Sequence, residues 1–291
     1  MSASAITPQH HAAARLIEQA DGLLITAGAG LGVDSGLPDF RGDEGLWRAY
    51  PALAQGRIGF TSIANPAAFQ ARPRLAWGFY GHRLQLYRQT VPHEGFHILR
   101  RWAQRMPQGA FVFTSNVDGQ FQAAGFDQAL VHECHGSIHH LQCATPCSAD
   151  IWPANGLSVE VDAQACEWTA PLPTCPRCDQ LARPNILMFG DGNWLSQRSD
   201  AQESRLHAWL RRTARPVVIE LGAGLHVPTV RYFSERVARR HGAGFIRINP
   251  REAHTDHGLR AIRLEATALH GLQAINAALN AAIDTGPSSG P

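Results

Sequence analysis

Gly22–Gly42 reads GLLITAGAGLGVDSGLPDFRG, and this stretch decides the fold. Gly22–Ala27 is a short buried-strand pattern, and Gly28, Ala29 and Gly30 follow it at once. A strand running into a glycine-rich turn is the context in which an open α/β sheet offers backbone N–H groups to a nucleotide phosphate. Glycine permits positive φ and lets the backbone approach an anion closely. The dinucleotide fingerprint asks for glycine at three set positions, of which Gly28 and Gly30 fill two while Val33 stands at the third. Glycine spacing alone therefore leaves two readings open, a phosphate site and a tight strand-to-loop turn. The same gap disfavours a dehydrogenase.

The pattern extends outward from this turn. Thr7 before Pro8 is an N-cap with proline at the first helical position, and Ala13, Leu16, Ile17 and Ala20 then recur at helical spacing. Phe96, Leu99 and Trp102 mark another helix, followed by the strand Ala110–Thr114 (AFVFT). Pro216–Leu221 (PVVIEL) and Gly244–Asn249 (GFIRIN) read as two more buried strands with a helix between them. Leu269, Leu272, Ile275, Leu279 and Ile283 mark a final amphipathic helix. Short apolar strands alternating with helices predict an α/β fold built on a Rossmann-like parallel sheet. The predicted organisation is a Rossmann-like domain from residues 1–139 and 183–283, with a helical insertion near 43–95. A small module occupies 140–182, and 284–291 is a disordered tail.

The totals narrow the function class. A formal net charge of +2 over 291 residues gives no basic stripe and predicts no nucleic-acid partner. No run of 18 apolar residues predicts no membrane span. The opening MSASAITPQHHAAARL lacks a charged region followed by an apolar one, so the expectation is a cytoplasmic protein. Cysteines there are kept reduced, and the six in this chain read as metal ligands or buried thiols. Cys143-x₃-Cys147 and Cys175-x₂-Cys178 lie 27 residues apart inside the module, a pairing suited to one tetrahedral zinc ion. Cys134 and Cys166 read as unpaired.

Other residue types point to chemistry. Asn116 and Asp118 follow a strand that should end at the same sheet edge as the glycine turn, where open α/β sheets bind ligands. A carboxylate there can accept from an amide NH₂; an Asx turn closing the strand is the alternative. His135 precedes Gly136, and imidazole is the usual general base near neutrality. Fifteen histidines make any single one a weak choice by composition. Tyr80 and Arg83, at i and i+3, share a helix face and can hold a carboxylate between phenol and guanidinium. A surface tyrosine stacked on an arginine stem is the alternative.

Pro38-Asp39-Phe40-Arg41 completes the opening stretch, and here the sequence resembles the sirtuins, whose cofactor loop has the form GAGxSxxSGIPDFR. Gly28, Ala29, Gly30, Ser35, Gly36, Pro38, Asp39, Phe40 and Arg41 match. Thr114-Ser115-Asn116-Val117-Asp118 is similar to the family's TQNID. His135-Gly136, Arg183-Pro184 with Phe189-Gly190-Asp191, and Asn249 extend the likeness over roughly Ala13 to Leu272. The resemblance implies NAD as cofactor, zinc in the module, and acyl-lysine proteins or peptides as substrates. It implies a deacetylase- or desuccinylase-type reaction that releases nicotinamide, acyl-ADP-ribose and free lysine without hydride transfer. His135 would deprotonate a ribose hydroxyl, with Asn116 beside it. Gly28, Ala29, Gly30, Asp39, Phe40, Arg41, Ser115, Asn116, Asp118, Gly222, Ala223, Gly224 and Asn249 would line the cofactor. Phe40 would exclude water from the reacting centre. Phe189 and Gly190 would meet the substrate, as would Tyr80 and Arg83, a Tyr-x-x-Arg like that of the desuccinylase branch. Cys143, Cys147, Cys175 and Cys178 would bind the metal.

Four departures stand out. Gly32 replaces the loop's first Ser, and Ser115 replaces Gln. Gly222-Ala223-Gly224 stands where the family has GTS, which removes two hydroxyls expected to face phosphate. Asp191 replaces Glu, and the Pro that normally follows is missing. These permit rival readings, an ADP-ribosyltransferase, an NAD hydrolase, or a non-catalytic NAD or peptide sensor. The intact His135 and Asn116 oppose the last.

Overall fold

The computed structural model describes residues 6–38, 42–255 and 258–284. Helix α1 (Pro8–Glu18) starts where the Thr7 side chain accepts from His10 N, as the cap pattern predicts. Strand β1 (Gly22–Ala27) follows, and the glycine turn continues as a 3₁₀ segment, Ala29–Ser35, closed by Gly36 at φ +84°. Five helices come next: α2 (Gly42–Ala49), α3 (Pro51–Gln55), α4 (Phe60–Ile63), α5 (Pro66–Ala71) and α6 (Pro73–Gln89). Proline opens α3, α5 and α6, where its fixed φ suits the first turn and its missing N–H is not needed. Helix α7 (Glu94–Gln104) leads to β2 (Ala110–Thr114), then α8 (Gln120–Ala123) and β3 (Val131–Glu133).

An antiparallel region interrupts this alternation. It comprises β4 (Gly136–Cys143), β5 (Ile151–Pro153), the hairpin β6 (Val161–Asp162) and β7 (Glu167–Trp168), and β8 (Ala182–Ile186). The α/β alternation then resumes with α9 (Gln197–Arg212), β9 (Pro216–Leu221), α10 (Thr229–His241), β10 (Gly244–Ile248), β11 (Ile262–Leu264) and α11 (Ala268–Asp284).

The main sheet is wholly parallel, in the order β11-β10-β9-β1-β2-β3. Its four central strands are the four that the apolar pattern marks. The two edge strands have three residues each, too few to show a period. One face is covered by α1, α7 and α11 through Ile17, Leu99, Trp102, Leu272 and Ile275, the other by α9 and α10 through Leu206, Trp209, Phe233 and Val237. Burial on both faces is why these strands read as continuous apolar runs. Two charges sit inside them all the same. Glu220 of β9 and Arg247 of β10 are register neighbours and pair at 2.6 and 2.9 Å, with Glu235 of α10 at 2.9 Å completing the cluster.

A third core lies between α6 and the antiparallel region, built on Trp77, Phe79, Tyr80, Leu141 and Trp168. Here α6 has two glycines on one face. A Cβ on Gly78 would stand 2.0 Å from the Cys166 carbonyl oxygen, and one on Gly81 would stand 2.7 Å from the Trp168 ring. Cys166 itself takes φ +53°, a left-handed conformation that places its carbonyl against the helix. Trp77 Nε1 donates to the Ala182 carbonyl at 2.9 Å, and Arg74 Nη1 to that of Trp168 at 2.8 Å. Gly78→Ala should therefore destabilise the protein by about 1–3 kcal/mol through overpacking. Gly156→Ala, where nothing lies within 4 Å of the added carbon, should leave the urea midpoint near wild type. Equal midpoints for the two variants would refute the close-packing account.

Candidate active site

The C-terminal ends of β1, β2, β3, β9 and β10 carry most of the residues marked by the sequence. Gly28 N donates to Leu221 O and Gly30 N to Gly222 O, both at 3.0 Å. The two glycine turns press backbone on backbone. A Cβ on Gly28 or Gly30 would come within 2.8 Å of Ala223 or Gly222, and one on Gly222 (φ +58°) within 2.4 Å of Gly30 and Leu31. The glycines are thus required by the approach of one turn to the other, while Ala29 at the tip is exposed. Of the residues in PDFR, Asp39, Phe40 and Arg41 lie outside the described residues, as does the predicted tail from 285 onward. Ser35 anchors the turn by accepting from His93 N at 3.0 Å. At Gly32, a Cβ would meet the Leu37 side chain at 3.1 Å.

The β2 loop is fastened to the same turn. Ser115 N donates to Ala27 O at 3.1 Å, Asn116 N to Thr114 Oγ1 at 3.0 Å, and Asn116 Nδ2 to Gly28 O at 3.1 Å. Asp118 is buried and accepts from Gln120 N at 2.9 Å, so the Asx-turn reading holds for one of its oxygens. Burial pushes its carboxyl up to about 6, with Glu133 adding to the rise and Arg83 opposing it. The Asp118 carbonyl accepts from His139 Nε2 at 2.8 Å.

His135 stands between the β2 loop and β8. Its carbonyl accepts from Leu187 N at 2.9 Å, and Gly136 at φ +78° lets β4 begin so close to β8 that a Cβ would lie 2.1 Å from Asn185 O. Burial lowers the imidazole's pKa, partly offset by the Ser115 backbone. The ring is therefore neutral at neutral pH, the state a base needs. Phe189 and Gly190 are exposed on the following turn, where Phe189 packs edge-on against Phe60.

Three expectations need correction or refinement. Ala223 does not face a phosphate site. It is 1% exposed, its methyl packed in the core beside α10, so a hydroxyl there would be buried; Gly224 is the open position of the pair. Asn249 holds the protein together: Nδ2 donates to Ala223 O at 2.9 Å and Oδ1 accepts from Arg251 N and Glu252 N. Tyr80 and Arg83 share one face of α6 but are not a surface stack. Arg83 is 8% exposed, donates twice to Tyr87 Oη at 2.7 and 3.0 Å, and lies over the rings of Phe79, Tyr80 and Tyr87.

The sequence reading missed Glu252. Its Oε2 is buried without a protein partner, and it is the nearest atom to the open side of Gly224. Arg183 of the Arg183-Pro184 pair is buried and forms two bonds with Asp191 at 2.8 and 2.9 Å, a role that the sequence reading did not assign. Asp191 is thus occupied in holding the turn that carries Phe189 and Gly190. No motif spacing marks the role of Glu252, which depends on the approach of a distant segment.

The four cysteines of the two pairs converge, their Sγ atoms all within 4.8 Å of one another. Cys143–Cys178 is 3.8 Å and Cys147–Cys175 3.7 Å. Four thiolates around a tetrahedral zinc at about 2.3 Å stand about 3.8 Å apart, so the donor set fits that ion. Burial raises the Cys175 thiol's pKa, but the backbone of Arg177 and Cys178, with hydrogen bonds from Cys147 and Cys178, brings it down to about 7, while its neighbours Cys143 and Cys147 are pushed up. Cys134 and Cys166 are free, as expected.

Comparison with known proteins follows this geometry. The Sir2 family model matches residues 28–227. An NAD-dependent protein deacylase of Aquifex aeolicus is 30% identical over 234 residues, covering 79% of this chain and 84% of that protein. The mitochondrial NAD-dependent protein deacylase sirtuin-5 of Canis lupus familiaris is 31% identical over 192 residues, covering 61% of this chain and 58% of that one. Among solved structures, an ADP-ribose complex of a mutant Sir2 homologue aligns with a TM-score of 0.69 at 22% identity, covering 95% of this chain and 99% of the other. A Sir2 homolog–NAD complex aligns at 0.67 and 24% identity, covering 93% and 94%. At these identities the structural likeness speaks for the fold.

The metal site is directly testable. Freshly purified, reduced protein should contain about one zinc ion per chain by mass spectrometry of the metal. Cys175→Ser should lose the ion and lower Tm, because a closed structural site stabilises the segment that folds around it. Metal-free wild type of unchanged stability would exclude a structural role.

Proposed function

The chain belongs to the Sir2 family, and on that premise we propose that it is an NAD-dependent protein lysine deacylase whose pocket accepts acidic acyl groups. The observation that carries the reading is that Asn116 is bonded to the Gly28 carbonyl of the glycine turn while the neutral His135 lies against the backbone of Ser115 beside it. NAD, when bound, supplies a ribose carbon from which nicotinamide departs and an ADP-ribose that takes up the acyl group. The protein's part is to bind, orient and move a proton.

His135 takes the proton from a ribose hydroxyl. Asn116, fixed by the Gly28 carbonyl, positions the ribose beside it. Asp118, when ionised, accepts from the carboxamide of the nicotinamide. Gly28, Ala29, Gly30, Ser115, Gly222 and Gly224 border the cofactor, with Ala223 and Asn249 supporting them from behind. The family likeness assigns Asp39, Phe40 and Arg41 to the same cofactor, with Phe40 as the residue that would exclude water. Glu252 offers its unpartnered oxygen to a hydroxyl of the adenosine ribose, as an acid does in other dinucleotide sites. Residues 1–139 and 183–283 form the NAD-binding part in this reading, and 140–182 the zinc module. Phe189 and Gly190, with the exposed Leu225 and Val227, give the peptide apolar ground at the rim. Four cysteines gathered as a metal-binding set support a reducing, cytoplasmic setting. No described helix is long and apolar enough to cross a membrane.

A second reading has one observation in its favour. Asp191 stands where the family has Glu, and both its oxygens are held by Arg183, which leaves less to grip a substrate backbone. ADP-ribosyl transfer or NAD hydrolysis would then compete, and the product separates them. Acyl-ADP-ribose marks deacylation; ADP-ribosyl-protein or free ADP-ribose marks the alternative.

His135→Ala should lower acyl-ADP-ribose formation by about 10²–10⁴-fold while NAD still binds. The pH profile follows from two groups. His135 must be neutral, and its pKa is held below 6.5; Asp118 must be ionised, and its pKa is about 6. Both conditions hold above that range and fail below it, so turnover should fall on the acid side. Asp118→Asn should weaken nicotinamide inhibition and leave only the His135 part of that limb. Near wild-type turnover in His135→Ala would contradict the assignment.

Arg83 tests the acyl preference. It is buried among aromatic rings and close enough to act on the charge of Asp118, which supports a place at the inner end of the acyl channel. A charge-assisted contact of about 1.5–3 kcal/mol corresponds to roughly 10- to 150-fold in kcat/KM. Succinyl- or malonyl-lysine peptides should be preferred over acetyl-lysine by that factor, and Arg83→Met should erase most of the preference. Equal loss on both substrates would mean that Arg83 only supports the fold.

A further inference from the structure

Arg83 sits on α6 in a stripe with Phe79, Tyr80 and Tyr87, each three or four residues away along the helix. Its guanidinium lies over the three rings, 5.2, 5.8 and 5.4 Å from their centroids. Tyr87 also bonds to it. Tyr87 Oη accepts from Arg83 Nε at 3.0 Å and from Nη2 at 2.7 Å, so one oxygen takes two donors of the planar fork. Those two bonds and the ring face together fix the direction and the plane of the guanidinium. Sequence spacing pairs Arg83 with Tyr80; the bonds pair it with Tyr87, one turn further on.

The turn that carries Tyr87 is itself anchored. Buried Gln120 donates from Nε2 to the Tyr87 carbonyl at 3.2 Å and to that of Thr90 at 3.4 Å, while its backbone N–H goes to Asp118 Oδ1 at 2.9 Å. Thr90 Oγ1 donates to the Leu86 carbonyl at 2.8 Å and closes the helix end. The last turn of α6 is thus bonded to the turn that bears Asp118, and the hydroxyl that aims Arg83 cannot shift without breaking those bonds.

The chemistry of the partner matters. A carboxylate in place of the phenol would hold the fork as firmly but would cancel its charge. Burial pushes the Tyr87 phenol's pKa up, against the pull of Arg83, so the hydroxyl stays protonated and orients the cation without neutralising it. Asp118 acts on both Arg83 and Tyr87, and the oppositely charged Arg183 and Asp191 act on Tyr80. A long cation left loose must be ordered when it binds an anion, which weakens binding by roughly 2- to 12-fold per side chain. We propose that Tyr87 is a positioning residue of the acyl pocket, holding Arg83 so that its ordering is complete before the acyl carboxylate arrives. This rests on the acidic-acyl reading of Arg83 and names what makes that residue selective.

The test uses the full chain and Tyr87→Phe, which keeps the ring and removes the hydroxyl. The first readout is the Nε–H resonance of Arg83, assigned by its loss in Arg83→Met and followed without NAD or peptide. Its exchange with water should be slow in wild type and about tenfold faster in Tyr87→Phe, as the loss of one hydrogen bond implies. The second readout is kinetic. The preference for succinyl-lysine over acetyl-lysine peptides should shrink by roughly 2- to 12-fold in Tyr87→Phe, through KM rather than kcat. A purely structural role would lower both substrates alike and leave the ratio unmoved. If Tyr87→Phe does not fold, Gln120→Leu is measured in its place; it keeps the hydroxyl, frees the turn that carries it, and should move both readouts in the same direction. Exchange as fast in wild type as in the variant, or an unmoved ratio, would overturn the proposal alone. A wild type with no succinyl preference would overturn the acyl reading and the selective role of Tyr87 with it, and slow Nε–H exchange would then show Tyr87 holding Arg83 for the fold only.

Discussion

The contact on which the rest of the site hangs is that between two turns, Gly28–Gly30 after β1 and Gly222–Gly224 after β9. Three glycines meet there with no room for a Cβ at any of them. Several residues of the proposed cofactor border are tied to one side of this contact or the other. Asn116 is bonded to Gly28 O, Asn249 to Ala223 O, and Arg231 reaches both Ala223 O and Glu252 O. The cofactor edge is thus a single hydrogen-bonded frame assembled from the ends of four strands, β1, β2, β9 and β10. Such a frame holds its side chains in place before any ligand arrives, which is the condition for electrostatic and positional catalysis.

Buried charge plays the complementary part. Arg183 with Asp191, and Arg247 with Glu220 and Glu235, lie in the interior with both signs present. Taking such groups out of water costs nearly as much as their attraction returns, so they are weak sources of stability. Their value lies in geometry. Arg183 can bond Asp191 in one arrangement only, and that arrangement fixes the turn bearing Phe189 and Gly190. Arg247 crosses from β10 to β9 and also donates to the His254 carbonyl, so the segment after Asn249 follows the sheet.

Much of this was readable in the sequence, for physical reasons that differ by element. The central strands are apolar on both faces and could hardly be read otherwise. The glycine turn and the two cysteine pairs are local patterns whose geometry follows from spacing. The edge strands escaped because three residues carry no period. Glu252 escaped because the open side of Gly224, which its oxygen approaches, is far away in sequence; the role of Arg183 escaped although Asp191 is eight residues on, because spacing does not reveal which charges are buried. Ala223 was misjudged for the same reason. It occupies a position where the family has a hydroxyl, but the side chain turns inward toward Phe233 and its neighbours, and only the packing of α10 reveals that.

The seam between α6 and the cysteine-rich region has a mechanical consequence. Gly78 against Cys166, Gly81 against Trp168, and the bonds from Arg74 and Trp77 make that helix and the metal-bearing segment one stiff body. Tyr80 and Arg83 ride on the same helix. If Arg83 reads the acyl group as proposed, softening of the cysteine cluster would travel first into the wall behind that group, and only later into the parallel sheet with its separate core. On that proposal, in an oxidising or metal-poor cell such a protein would become less discriminating before it became unable to hold its nucleotide.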